Sequence, residues 1–231
     1  MVDFLAVGTH PDDVEIGLGG TLATLIGRGS SCAVVDLTNG EPTPYGSTQT
    51  RAAETEKASA IIGLKHRVML GLPNRWLTDT AEARVKVAEA YRTLRPKVLF
   101  LPHWEDAHPD HVQSSHISQA ARFVSKYTKT DMAGEPFYPP HVFYYFCCHL
   151  KKQAAPSLVF DVSDGFEKKI RAVRAYHSQF FAGGADKGED FIGRLEARAA
   201  YFGGMVGARY GEPFLSDEML GVRSFDAFLH D

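Results

Sequence analysis

No two cysteines in this sequence stand at the Cys-x-x-Cys spacing of a zinc ribbon or a redox pair. Only three occur in 231 residues, Cys32, Cys147 and Cys148. An odd count with two adjacent members is no disulfide framework, so a reducing cytoplasm is the expected compartment, and any metal must be held by histidine and carboxylate. No apolar run approaches the ~20 residues of a membrane span. The opening MVDFLAVGTHPDD has no basic segment and enters folded-looking sequence at once, against a signal peptide. Positive charge is not in excess either: 25 Lys and Arg face 28 Asp and Glu, a net −3. Neither nucleic acid nor an anionic membrane is an expected partner. Internal repeats, low-complexity tracts and interdomain linkers are missing, and the expectation is one domain over residues 1–231.

What the sequence does contain is regular alternation. Short apolar runs at 4–7, 33–37, 67–70 and 98–101 read as strands. Between them, 15–28, 51–62 and 81–94 read as helices, the first carrying Ile16, Leu18, Leu22, Leu25 and Ile26 at helical spacing. After residue 101 the pattern loosens: 111–124, 166–180 and 191–202 read as helix, HVFYYF and SLVFDV as strands, and the tail is mixed. This predicts an α/β fold, a single Rossmann-like domain with a mostly parallel sheet flanked by helices. With strand order 3-2-1-4-5, strands one and four are neighbours, and ligands bind at the crevice beyond their carboxyl ends.

Both ends of that crevice carry the same tripeptide. THPDDVEIG follows the first strand and PHWEDAHPDHV the fourth, so His-Pro-Asp occurs at 10–12 and again at 108–110, the second followed by His111. Adjacent carboxylates near a core repel each other and lose solvation, and a cation compensates both penalties. Two imidazoles and a carboxylate are a common catalytic zinc set with a fourth position open to water. The expected ligands are His10, Asp13 and His111, holding one Zn2+ per chain, with another divalent metal as the alternative. Asp12, pointing away from Asp13, is then free to act as a base. His108 can donate to a developing oxyanion if protonated, and Asp110 can orient an imidazole.

THPDDVEIG with AHPDHV resembles the PIG-L/LmbE-type zinc-dependent N-deacetylases. TRAAETEKASAIIGL is similar to that family's arginine-bearing helix, and VSDGFEKKIRAVRAYHSQF to a late segment of the bacillithiol-biosynthesis deacetylases. The resemblance implies hydrolysis of the N-acetyl group of an N-acetylglucosamine derivative, N-acetylglucosaminyl malate being favoured and N-acetylglucosamine or chitobiose-type oligomers the alternative. It also implies Asp12 as general base, Arg51 as a substrate contact, and a homo-oligomer, a hexamer by preference. Where some relatives have a tyrosine shortly before the second motif, this chain has Glu105 and Asp106.

Each residue has a plainer reading. Asp12 and Asp110 suit helix N-caps, Glu15 suits the positive end of a helix dipole, and Arg51 suits a surface pair with Glu54 or Glu56. Asn39-Gly40 is either pocket lining or a plain turn. The remaining histidines, 103, 116, 141, 149, 177 and 230, read as structural or surface, and residues 143–146 as core or subunit interface. Loops 39–50, 128–140 and 181–190 are expected to shape the mouth. A dinucleotide-binding protein is disfavoured, because GLGG lies inside the first helix and two aspartates occupy the turn where a pyrophosphate would sit. A zinc-binding protein without turnover would have no use for the spare Asp12.

Overall fold

A computed structural model describes residues 1–149 and 154–221; His230 lies outside the described residues. Seven strands form one sheet in the order β3-β2-β1-β4-β5-β7-β6. They are β1 (Phe4–Gly8), β2 (Cys32–Asp36), β3 (His66–Met69), β4 (Val98–Pro102), β5 (His141–Tyr145), β6 (Leu158–Asp161) and β7 (Gly211–Leu215). The first five are parallel in the expected 3-2-1-4-5 order, and β7 is antiparallel to both its neighbours. The helices are α1 (Asp13–Gly27), α2 (Thr48–Ile62), α3 (Ala81–Leu94), α4 (Pro109–Val124), α5 (Phe166–Ala175), α6 (His177–Phe180) and α7 (Ala185–Met205).

The central strands read as unbroken apolar runs because both of their faces are covered. Successive side chains divide between the two layers. Leu5, Val7, Leu99 and Leu101 pack with Val87 and Tyr91 of α3, whereas Ala6 and Phe100 pack with Leu18 and Leu22 of α1 and Ala172 of α5. Of residues 143–146, Tyr144, Tyr145 and Phe146 are fully buried core and Phe143 packs half-buried against it.

Two elements depart from expectation. The helix expected over 166–180 breaks at Tyr176, which leaves the helical region (φ −81°, ψ 61°) and donates its buried hydroxyl to Glu15 Oε1 at 3.1 Å. Strand β7 is hidden in the sequence by Pro213, since proline removes a ladder donor. It is tolerated because β5 pairs only with Phe214 and Leu215, short of the proline.

The GLGG stretch serves packing. A Cβ on Gly17 would collide with the Tyr145 ring, whose hydroxyl donates to the Val7 carbonyl at 2.8 Å. Helix α1 kinks at Leu18 (φ −146°), and the amides of Gly20 and Thr21 donate instead to the Glu212 carboxylate at 3.1 and 2.7 Å. Lys169 Nζ, 2.5 Å away, balances that buried charge. The start of α1 is thereby fixed against β1, β5 and β7, and with it the turn over residues 9–12.

Candidate active site

Strands β1 and β4 pair side by side, so the turns that follow them, 9–12 and 103–108, meet at one crevice. The two His-Pro-Asp motifs come together there. Asp13 Oδ2 lies 3.3 Å from His10 Nδ1 and 3.2 Å from His111 Nε2. The far nitrogen of each imidazole also meets a carboxylate: His10 Nε2 is 3.5 Å from Asp110 Oδ2, and His111 Nδ1 is 3.2 Å from Asp106 Oδ2. His10, Asp13, Asp110 and His111 are all buried. Among the described residues, His10, Asp13 and His111 form one of three groups whose donor atoms lie close enough to share an ion; the others are His10, His108, Asp110 and Asp106, His111, Cys147.

Asp12 faces the other way. Its φ of 127° is a region non-glycine residues rarely occupy, and the strain separates two neighbouring aspartates. It stands at the N-cap position of α1 but makes no capping bond; Arg51 Nη2 donates to its Oδ2 at 3.0 Å. Burial pushes the Asp12 carboxyl up to about 7, against the pull of Arg51 and with the help of Asp13. Burial would also raise Asp13, but His111 and His10 hold it well below the usual carboxylate range.

Arg51 pairs with neither Glu54 nor Glu56. Glu54 instead accepts the Ser178 amide and hydroxyl, both at 2.7 Å. Arg51 is buried, and its Nε and Nη1 have no hydrogen-bond partner. A Cβ on Gly40 (φ 71°) would stand 3.0–3.2 Å from the guanidinium, so glycine is needed there on two counts. Asn39 makes a turn, its side chain accepting the Glu41 amide at 3.0 Å.

His108 caps α4, its Nδ1 accepting the Asp110 amide at 3.2 Å. The N-cap is therefore His108 and not Asp110. An accepting Nδ1 puts the proton of the neutral ring on Nε2. Burial and the neighbouring His111 and His10 lower the His108 pKa. A neutral ring protonated on Nε2 can also donate, so the oxyanion role expected of His108 does not require an imidazolium. Asp110 accepts the amides of Arg75 (2.6 Å) and Leu77 (3.2 Å), which tie the β3–α3 connection to the site. Glu15 is fully buried behind the turn over residues 9–12 and binds Arg67, which also donates to both Asp36 oxygens at 2.6 and 3.0 Å. It buttresses the loop and is no mere dipole partner.

The site opens on a cleft of about 620 Å³ lined by His10, Asp12, Asp13, Arg51 and His108 on its floor and by Tyr45, Asn74, Arg75, His149 and Lys187 among its walls. Three features escaped the sequence. Asp106 meets His111; His149, read as structural or surface, lines the cleft with its ring 5.5 Å from that of His111; and Asn74-Arg75 comes from a connection not expected to contribute. Loop 128–140 supplies no lining residue. The carbonyls of Met132 and Gly134 accept from Arg92, and those of Pro139 and Pro140 from Arg122.

Fold and site define a Rossmann-like α/β enzyme with a buried histidine–carboxylate centre at its topological switch point. The chain belongs to the PIG-L family: the family model described as GlcNAc-PI de-N-acetylase matches residues 5–122. It is an N-deacetylase of the LmbE type. It is 30% identical over 223 residues to the diacetylchitobiose deacetylase of Thermococcus kodakarensis, spanning 90% of this chain and 80% of that protein. The conserved protein TT1542 from Thermus thermophilus is 38% identical, with a TM-score of 0.88 over 96% of this chain and 98% of that one. GalB, the 4-carboxy-2-hydroxymuconate hydratase from Pseudomonas putida, superposes with a TM-score of 0.81 over 97% and 100% of the two chains. At 20% identity that likeness concerns the fold alone, and a shared fold does not fix the chemistry.

Proposed function

We propose that the chain hydrolyses the N-acetyl group of an N-acetylglucosamine derivative with the help of a divalent cation, releasing acetate and a free amine. The observation that carries this reading is the spacing of the buried triad. Ligands on a tetrahedral zinc with bonds of ~2.0–2.1 Å lie roughly 3.3–3.4 Å apart. The Asp13 oxygen stands 3.3 and 3.2 Å from its two imidazole nitrogens. Both ring nitrogens of His111 are buried without a well-formed hydrogen bond, a cost that coordination and a carboxylate partner remove. His10, Asp13 and His111 therefore fit one zinc ion per chain. When bound, such an ion polarises an amide carbonyl and acidifies water.

The protein's own residues divide the remaining work. Asp12 takes the proton of the attacking water and returns it to the departing nitrogen. His108 donates from Nε2 to the oxyanion. Arg51 keeps Asp12 aimed with Nη2 and, as a residue lining the cleft, is the proposed contact to the sugar. Asp110 and Asp106 orient the rings of His10 and His111. Removing such a partner typically weakens metal affinity ~10–100-fold. Asp106→Asn is expected to do so, read by competition with a chelating dye; unchanged affinity would remove Asp106 from this role.

N-acetylglucosaminyl malate is the favoured substrate, on the resemblance of residues 162–180, with diacetylchitobiose the alternative suggested by the Thermococcus relative. A single domain, a homo-hexamer and a cytoplasmic location belong to the same proposal. The test is release of primary amine from N-acetylglucosaminyl malate, N-acetylglucosamine and diacetylchitobiose by zinc-loaded and chelator-stripped protein. Metal-dependent turnover supports the reading and ranks the substrates. No turnover from protein holding one ion per chain overturns it and leaves a zinc-binding protein of another kind.

A further inference from the structure

The charges lining the cleft are unevenly spent. Of its two acids, Asp13 lies between His10 and His111, and Asp12 is engaged by Arg51. Two further cations line the same cleft, Arg75 from the β3–α3 connection and Lys187 from α7. Neither has a carboxylate within ion-pair distance among the described residues. Asp186 and Glu189, close to Lys187 in sequence, do not line the cleft, and Glu189 is paired with Arg174.

Arg75 is also held in place. Its backbone is left-handed (φ 67°), an uncommon state for a residue with a Cβ. That conformation is supported by its amide, which donates to Asp110 at 2.6 Å, and by its Nη2, which donates to the Pro42 carbonyl across the cleft wall at 2.5 Å. Strain that the surroundings sustain collects where a side chain must be aimed. The neighbouring Asn74 also lines the cleft, and its Oδ1 is buried with no hydrogen-bond partner, an acceptor waiting for a donor from outside the chain.

We propose that Arg75 and Lys187 form an anion subsite that selects amino sugars carrying a carboxylate or phosphate on the substituent next to the N-acetylated ring. Asn74, next to Arg75 in the same lining, accepts from a sugar hydroxyl. The inference rests on the deacetylase reading for its sugar and on the two unpaired cations for its charge. An anionic aglycone can pair with these two exposed cations and a neutral oligosaccharide cannot, and a planar guanidinium suits either anion.

The test is calorimetric binding to chelator-stripped protein, so that no metal competes for the anion. The probes are N-acetylglucosaminyl malate, N-acetylglucosamine 1-phosphate and neutral methyl N-acetylglucosaminide, which separate carboxylate from phosphate. An anionic probe is expected to bind at least about tenfold more tightly than the neutral one, one charge-assisted contact being of that size. Arg75→Gln and Lys187→Gln should each shrink the ratio, and Arg75→Lys should restore part of it. Lys187 is exposed on a helix surface, so its variant tests the subsite even if the Arg75 variants misfold. Equal affinity for charged and neutral probes, or a preference that survives both glutamine variants, overturns the subsite. Amine release by zinc-loaded protein separates the two ideas. Anion preference in binding without turnover of any sugar sinks the deacetylase reading alone, and turnover without preference sinks the subsite alone.

Discussion

Asp12→Asn is expected to lower kcat by roughly 10²–10⁴-fold, the range a general base contributes, with the divalent ion still bound. The asparagine keeps the volume, and its side-chain oxygen can still accept from Arg51 Nη2, now 3.0 Å from Asp12. What is lost is a group able to hold and return a proton. Burial supplies the right basicity: the Asp12 carboxyl is pushed up to about 7, where it takes a proton from water and gives it back. Asp13 has the opposite surroundings, two imidazoles that hold it ionised, so Asp13→Asn should lose the metal first and the activity as a consequence. Steady-state kinetics beside metal content per chain distinguish the two. An Asp12→Asn enzyme that keeps more than about a tenth of wild-type kcat removes Asp12 from the base's role, since that loss is far below what base removal costs.

Much of this arrangement was legible because it follows from backbone periodicity. Alternating strands and helices dictate parallel pairing. Parallel pairing sets β1 beside β4, and a motif repeated after each of those strands meets itself at their carboxyl ends. Asp106 was not legible, because an acid five residues before His111 obeys no helical or strand spacing. Its reach depends on how the loop after β4 folds, with its Oδ1 accepting the His108 amide at 2.8 Å. His149 and Arg75 are placed by connections whose course depends on distant partners, Asp110 in the case of Arg75. The break at Tyr176 has the same origin: the local sequence favours continued helix, and a tertiary bond to Glu15 outweighs it. Loop 128–140 has a mouth-like composition, but Arg92 and Arg122 bind its carbonyls elsewhere. Propensity describes what a segment does alone, and these residues respond to what lies across the sheet.

Removing the metal should abolish turnover, and the strength with which it returns should depend steeply on pH. In the metal-free protein His10 feels burial, which lowers its pKa, but Asp110 and Asp13 outweigh that and raise it to about 9 from an ordinary 6.5. Burial also opposes the charge on His111, and Asp13 overrides it, holding the ring well above its ordinary value. A raised folded-state pKa stabilises the fold below the unfolded pKa, and that contribution is lost as pH rises through the folded pKa. For His10 the stripped protein is therefore stabilised fully below about pH 6.5 and loses the contribution on the way to about 9. A cation needs both imidazoles unprotonated, so its affinity should climb over the same window, by about tenfold per pH unit for each proton displaced. Over that window the stripped protein loses stability while the loaded protein, which carries no proton on either ring, does not, so the gap between their Tm values should widen as pH is raised. Calorimetric melting of both forms across that window reads it directly. A gap independent of pH would mean that the cation does not displace protons from His10 and His111, and would place the metal elsewhere in the cleft.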